Sequence, residues 1–257
     1  MRIIFKVGTS TLTHATGHLD IRRVESLCTV LSDIKNMGHE VVLVSSGAIG
    51  MGVGKLNLRE RPRDMPGKQA AAAVGQCELM YVYGKLFAEY NHKVAQILLT
   101  GEDIRDEARH ENFSNTLRRL LDLDVLPIIN ENDTVSTEEI AVGDNDRLGA
   151  LVAVSAGAEL LVILSDIDGL FTADPRSHPD AALIPEVREI TPAMRQSAGG
   201  GGTALATGGM STKLLAADLC MDAGIDMVIV NGERPSVLYD VLERRPVGTR
   251  FIGRRQA

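Results

Sequence analysis

Cysteine is scarce in this sequence, and long hydrophobic runs are absent. Three cysteines occur among 257 residues, far apart, odd in number and without a CxxC spacing. This usage is typical of a reducing compartment, and we interpret Cys28, Cys77 and Cys220 as small buried apolar residues. The apolar runs are strand-length, well below the ~20 residues that a membrane helix needs. The run after Met1 is too short for a signal peptide. We therefore expect a cytoplasmic protein without a targeting segment or membrane contact.

The sequence also lacks a surplus of basic residues and lacks two common nucleotide loops. Its formal net charge is −7, which disfavours a surface built to bind nucleic acid, although a local basic pocket is still allowed. Neither the G-x-x-x-x-G-K-[ST] loop nor a strand-linked G-x-G-x-x-G fingerprint occurs. Gly50, Gly52 and Gly54 form G-x-G-x-G, which is a weak signal by itself. Because the G-x-G-x-x-G fingerprint is missing, a nicotinamide oxidoreductase is disfavoured.

Continuous apolar, β-branched runs alternate with helix-length segments along the chain. Continuous runs are typical of strands buried on both faces, as in a mainly parallel sheet. The alternation predicts an α/β sandwich with crossover helices, and the lack of an internal repeat or linker predicts one domain. The predicted strands are 3–7, 40–44, 94–99, 126–129, 159–164 and 227–230, and the predicted helices are 21–36, 67–90, 112–123, 146–156 and 211–223.

Polar and glycine-rich residues follow the first two predicted strands, where open α/β sheets bind ligands. Lys6 is followed by Gly8 and Thr9, so an ammonium lies beside a turn whose N–H groups suit a phosphate. After the second strand, Ser46 can cap a following helix and Gly47 lets an anion approach its start. A surface lysine before a tight turn and a plain capped helix explain these segments equally well.

Two clusters of Asn and Asp adjoin predicted buried structure. The first, NENDT at 130–134, follows a strand, and the second, VGDND at 142–146, precedes an apolar helix. Buried amides and carboxylates need partners, and capping alone would need only one such residue. The two clusters therefore favour a binding function over a structural one.

Two later segments resemble nucleotide contacts. Residues 165–175, which begin with Ser165 and Asp166, form a long polar loop that could cradle a sugar and base or be an ordinary turn-rich loop. Residues 207–213, TGGMSTK, place Lys213 near a helix start, where a cation opposes the helix dipole unless an anion is bound. The glycine cluster at 199–202 is expected to be a mobile loop.

Six motifs together resemble those of the amino acid kinase superfamily, and most closely those of its members that phosphorylate glutamate. In chain order they are KVGTS, SSGAIG, NENDTV, GDND, LSDIDGLFTADPR and TGGMSTK. The likeness extends from Ile3 to about Phe251. It implies a three-layer αβα sandwich of the carbamate kinase type, with a lobe of about residues 1–150 for the amino acid and one of about 151–257 for ATP. Many relatives carry a further PUA domain; this sequence stops where the kinase domain ends, so RNA binding is not expected.

The resemblance implies roles for the charged residues. Lys6 and Lys213 would flank the transferred phosphoryl group and neutralise its developing charge, while Asp146 would orient both lysines. Backbone N–H groups of Gly8, Thr9 and Gly47 would bind phosphates. The remaining residues that match ATP-binding segments are Ser165, Asp166, Thr207, Gly208, Gly209, Met210, Ser211 and Thr212.

The resemblance also implies a glutamate site. Ser46, Asp133 and Asn145 match the family's glutamate contacts, and Asp133 is the natural partner for the α-ammonium. A carboxylate acceptor is already ionised at neutral pH, so no general base is needed. The absence of histidine from the motifs agrees with this.

Cofactors and partners follow from the same resemblance. We expect ATP with Mg²⁺, and we assign no metal ligand to the protein. We also expect the chain to catalyse the first step of proline synthesis, with proline as a feedback inhibitor. A homo-oligomer, dimer or tetramer, and hand-off of the product to glutamate-5-semialdehyde dehydrogenase are also expected. The alternatives are a superfamily kinase for acetylglutamate, aspartate, carbamate or a nucleoside monophosphate, and a non-catalytic amino-acid sensor on this fold.

Overall fold

The structure is a computed structural model, and it describes residues 1–14, 18–135, 145–198 and 209–254. Helices and strands alternate through most of these residues. The strands are β1 (Arg2–Val7), β2 (Glu40–Ser45), β3 (Val94–Leu99), β4 (Leu126–Glu131), β5 (Leu160–Ser165), β6 (Glu186–Val187), β7 (Asp226–Asn231) and β8 (Thr249–Phe251). The helices are α1 (Thr9–Leu12), α2 (Ile21–Asn36), α3 (Ala48–Lys55), α4 (Met65–Ala88), α5 (Gly101–Arg105), α6 (Glu107–Asp122), α7 (Asn145–Ala156), α8 (Pro192–Ala198), α9 (Met210–Asp222) and α10 (Val237–Leu242).

The described strands form one sheet in the order β3-β4-β2-β1-β5-β7-β8-β6. In this order, each pair of neighbouring strands from β3 across the sheet to β7 is parallel, and β8 runs antiparallel to β7. The predicted mainly parallel sheet is therefore confirmed. Sequence reasoning missed β6 and β8, because strands of two and three residues are too short to show an apolar run.

Helices cover both faces of the sheet, which makes three layers. Along β1, Ile3 and Phe5 belong to one core together with Leu27 of α2. Ile4 points to the opposite face and belongs to a second core together with Ala150 of α7. Successive strand residues thus serve two cores, and this explains why the runs are continuously apolar rather than alternating.

A close helix contact explains one glycine of the G-x-G-x-G pattern, Gly52. A Cβ added to Gly52 of α3 would lie 1.8 Å from the carbonyl oxygen of Ala71. A Cβ added to Gly75 of α4 would lie 1.7 Å from that of Ala48. The two helix backbones can approach this closely only because both positions lack a side chain. Gly52 therefore serves helix packing, whereas a Cβ added to Gly50 would meet nothing closer than 3.6 Å.

The predicted helices are present, with shifts at their ends. Helix α2 has the predicted bounds, whereas α6 begins five residues before the predicted position 112. The reason is a cap: the Asp106 side chain accepts a hydrogen bond from the backbone N–H of Arg109 at 2.9 Å. None of the helices in the described ranges is both long enough and apolar enough to cross a membrane.

One prediction about the cysteines is wrong. Cys28 and Cys220 are buried, and burial raises the pKa of the Cys220 thiol to about 12. Cys77, however, is exposed. It lies on α4 two residues before the fully buried Leu79, roughly 200° away around the helix, so it faces solvent.

Candidate active site

Four neighbouring strands carry the candidate site at their carboxyl ends. The strands β4, β2, β1 and β5 are adjacent and parallel, so the polar residues that follow them meet at one edge of the sheet. A cavity of about 700 Å³ opens there. It is lined by Thr9, Ser46, Gly47, Ala48, Ile49, Gly50, Glu60, Arg61, Pro62, Arg63, Met65, Lys68, Asn130, Glu131, Asp133 and Asn145.

Three charged side chains form a buried cluster at this edge. Asp146 is 0 % exposed, and Lys6 and Lys213 are each 6 % exposed. The Nζ of Lys6 lies 2.5 Å from Oδ1 of Asp146, and the Nζ of Lys213 lies 2.9 Å from Oδ2. One carboxylate therefore holds two ammonium groups, one on each oxygen, and the trio carries a net charge of about +1 at neutral pH.

The fold explains why residues so distant in sequence meet. Lys6 follows Ile4 by two positions on β1, so it points to the sheet face that α7 and α9 cover. Asp146 lies in the first turn of α7, and Lys213 lies in the first turn of α9. Thr212 steadies that turn by donating from Oγ1 to the Gly209 carbonyl oxygen at 2.7 Å.

The electrostatics of the cluster favour the ionised carboxylate. Burial alone would raise the pKa of Asp146, but the ammonium groups of Lys6 and Lys213 hold it well below its ordinary value. Asp146 is therefore an anion at every pH at which the protein would work. Its charge fixes the positions of both lysines.

The glycine turns lie beside this cluster. A Cβ added to Gly8 would lie 3.6 Å from the Nζ of Lys6, so the turn after β1 passes close to that ammonium. Gly47 precedes α3 with φ 102°, a left-handed conformation that favours glycine. No side chain caps α3 there, so the expected capping role of Ser46 is wrong. Its Oγ instead accepts a hydrogen bond from Nδ2 of Asn145 at 2.9 Å.

The three residues predicted to contact the amino acid all line the same cavity. Ser46 and Asn145 are bonded to each other, and Asp133 lies on the turn after β4. Burial and the nearby negative charge of Glu131 raise the pKa of Asp133 to about 6, although Arg61 lowers it. The cavity thus presents a hydroxyl, an amide and a carboxyl group that titrates near neutrality.

Sequence reasoning missed the basic side of this cavity. Arg61, Arg63 and Lys68 line it, opposite in charge to Asp133. The signal that could have found them is four basic residues between positions 59 and 68, just before and at the start of the long helix α4. Gln76, whose contacts are described below, was also missed, since one polar residue in an alanine-rich helix gives no signal.

The later residues predicted to bind ATP lie at the end of β5 and at the start of α9, apart from those outside the described residues. Ser165 is buried at the end of β5, and its Oγ donates to Oδ1 of Asp166 at 3.3 Å. The segment from Gly209 to Lys213 forms the start of α9. Thr207, Gly208, the glycine cluster at 199–202 and the first part of the GDND motif lie outside the described residues.

Comparison with known proteins identifies the class and then the branch within it. The model of the Amino acid kinase family matches residues 1–231, so the chain belongs to this family. A glutamate 5-kinase from Clostridium perfringens is 50 % identical, covering 99 % of this chain and 96 % of that protein. A glutamate 5-kinase from Clostridium tetani is 54 % identical, covering 97 % and 93 %. Within the family, the chain therefore groups with the glutamate 5-kinases.

A solved structure confirms the fold. Carbamate kinase from Giardia lamblia bound to AMP-PNP matches with a TM-score of 0.72, covering 98 % of each chain. Its sequence identity is 19 %, so the likeness concerns the fold alone. The predicted carbamate kinase type of αβα sandwich is confirmed.

Proposed function

We propose that this chain transfers the γ-phosphoryl group of ATP to the γ-carboxylate of L-glutamate, giving L-glutamyl 5-phosphate as the first step of proline synthesis. The observation that carries the proposal is the buried Lys6–Asp146–Lys213 cluster beside a cavity with amino-acid-binding chemistry. Relatives about half identical over nearly the whole chain are glutamate 5-kinases, which supports the choice of glutamate.

In the proposed step, an oxygen of the γ-carboxylate attacks the γ-phosphorus while the bond from that phosphorus to the β,γ-bridging oxygen breaks. The electron pair of the broken bond leaves with ADP, and no proton has to move. Lys6 and Lys213 stabilise negative charge on the transferred group and on the leaving β-phosphate. Asp146 acts through the lysines, because it holds both ammonium groups at fixed positions.

The acceptor site fits an amino acid with a charged α-ammonium. The Oγ of Ser46 accepts from Asn145, so its own proton is left for a carboxylate oxygen of the substrate. Asp133, when ionised, pairs with the ammonium. Arg61 and Lys68 line the same cavity and offset the charge of a substrate that carries two carboxylates.

The nucleotide is proposed to lie over the start of α9 and the end of β5, with Ser165, Asp166 and residues 207–213 as its contacts. The AMP-PNP bound to the carbamate kinase of the same fold supports an ATP site. Among the described residues no group of three His, Cys, Asp or Glu side chains is arranged to hold a metal ion. We propose that Mg²⁺ enters as the counter-ion of ATP, bound by its phosphates.

Three expectations remain predictions. They are assembly into a homo-oligomer, inhibition by proline and delivery of the product to glutamate-5-semialdehyde dehydrogenase. A non-catalytic sensor is the second candidate function. It is disfavoured because both lysines and Asp146 are present and in contact.

The test is ATP-dependent formation of a hydroxamate with hydroxylamine, which traps an acyl phosphate. We expect product with glutamate and none with N-acetylglutamate or aspartate. The variant Lys213→Ala should lower kcat by about 10²- to 10³-fold and leave the KM for glutamate nearly unchanged. The matched control is Lys85→Ala, which changes a lysine on α4 that does not line the cavity. Equal product with N-acetylglutamate, or full activity of Lys213→Ala, would contradict the proposal.

A further inference from the structure

A chain of amide hydrogen bonds leads away from the cavity to the buried face of α4. The backbone N–H of Glu131 donates to Oδ1 of Asn130 at 2.8 Å. Nδ2 of Asn130 donates to Oε1 of Gln76 at 2.9 Å. On the other side, Nδ2 of Asn145 donates to Oδ1 of Asn130, also at 2.9 Å. Three side-chain amides are therefore linked in series, and we call this series the amide relay.

The backbone fixes the direction of the amide relay. An N–H group can only donate, so the atom of Asn130 that faces Glu131 must be its carbonyl oxygen. Its NH₂ group must then point to Gln76. The carbonyl oxygen of Ser45 can only accept, and Nδ2 of Asn145 donates to it at 3.2 Å. These backbone partners identify which side-chain atom of each asparagine is the oxygen, and the acceptor of Gln76 then holds the NH₂ group of Asn130.

The orientation of Asn145 determines what the cavity can bind. Its NH₂ group is used by Ser45, Ser46 and Asn130. Asn145 also lines the cavity, so the polar atom that it offers to a ligand is the carbonyl oxygen Oδ1. A carbonyl oxygen selects a hydrogen-bond donor, such as an ammonium group, and disfavours an acetylated nitrogen, which carries no charge and fewer N–H groups.

Gln76 holds the far end of the amide relay and does not belong to the cavity lining. It is 8 % exposed, and its Nε2 is buried without a hydrogen-bond partner among the residues that the structure describes. An unsatisfied donor is unfavourable for folding, so the glutamine serves here through its acceptor, Oε1. The neighbouring Gly75 packs against Ala48, which keeps this part of α4 in place.

We propose that Gln76 is a positioning residue for substrate selection: through Asn130 it holds Asn145 with its carbonyl oxygen toward the α-ammonium of the amino acid. This inference rests on the proposed function. It predicts that loss of the Gln76 acceptor weakens binding of ligands that carry an ammonium and leaves other ligands unaffected.

The test uses Gln76→Met, which keeps the side-chain length and removes the acceptor. We expect the KM for glutamate to rise roughly tenfold, as for one lost hydrogen bond to a charged group, with the KM for ATP and kcat within twofold. The inhibition constant of glutarate, which lacks the ammonium, should not change. Gln76→Glu keeps an acceptor at the same place and should restore most of the affinity for glutamate. Gln96→Met, an exposed glutamine on β3, is the matched control.

Several results would overturn the inference. They are an unchanged KM for glutamate in folded Gln76→Met, an equal loss of affinity for glutamate and glutarate, or no recovery in Gln76→Glu. If Gln76→Met does not fold, Gln76→Leu removes the same acceptor with a different apolar side chain and must give the same selective loss. Wild-type protein without activity toward glutamate would instead refute the proposed function, so the two failures are distinguishable.

Discussion

The charge balance of the buried cluster gives the sharpest prediction. Asp146→Asn removes the carboxylate that contacts both Lys6 and Lys213, each 6 % exposed. Asparagine can accept a hydrogen bond from one ammonium but presents its NH₂ group to the other. Loss of one partner in a buried ion pair costs about 3–5 kcal/mol. We expect the free energy of unfolding to fall by about 3 kcal/mol, the lower end of that range, because one hydrogen bond is retained.

The assay is chemical denaturation with and without AMP-PNP and Mg²⁺. With Asn at this position the cluster carries one more positive charge, so phosphate groups should bind more tightly and restore more stability than in the wild type. Asp222→Asn is the control, since this carboxylate is 63 % exposed and its partner Arg254 is 56 % exposed; it should cost less than about 1 kcal/mol. A change for Asp146→Asn within about 0.5 kcal/mol of zero, or no extra gain from the nucleotide, would refute the reasoning.

Two further predictions concern Asp133 and the helix contact. Because the folded pKa of Asp133 is raised to about 6, its contribution to stability is present below its unfolded pKa of about 3.9 and is lost as the pH rises through about 6. Asp133→Asn should therefore raise the free energy of unfolding at pH 7. In the wild type we expect kcat/KM for glutamate to fall below pH 6, and the variant should not show this fall. A fall that persists in the variant would contradict this role. Gly75→Ala should prevent folding or lower the melting temperature strongly, because its Cβ would lie 1.7 Å from a carbonyl oxygen. Gly84→Ala in the same helix meets nothing closer than 3.9 Å and should stabilise by up to about 1 kcal/mol; equal effects of the two substitutions would contradict the packing explanation.

The parts of the fold that depend on strong local signals were predictable. Continuous apolar runs found every long strand, and the unfavourable position of Lys213 in a first turn pointed to a site. The rule that ligands bind at the carboxyl ends of parallel strands was enough to predict that Lys6 and Ser46 lie at the same edge of the sheet. These inferences succeed because strand burial and helix dipoles act over a few residues.

Other features depend on contacts that no short segment encodes. Gln76 looks like an ordinary surface residue, because the small residues around it on α4 give no clear buried face. Ser46 looks like a helix cap, yet its partner is Asn145, about a hundred residues away in the chain. Arg61 and Lys68 enter the cavity only through the path of the segment between α3 and α4 and the first turn of α4. Each of these side chains takes its role from a neighbour in another element.

The cluster also links the stability of this protein to the proposed phosphoryl transfer. Two ammonium groups share one carboxylate in a buried place, so the three side chains together carry a surplus of positive charge. Burying charged side chains is unfavourable, and the fold tolerates it here because Asp146 bonds both lysines at once. In the proposed reaction the triphosphate supplies negative charge, which in the transition state is spread over the oxygens of the transferred group and the leaving β-phosphate. Under the proposed function, the two ammonium groups that Asp146 holds would bind the nucleotide and stabilise the transfer.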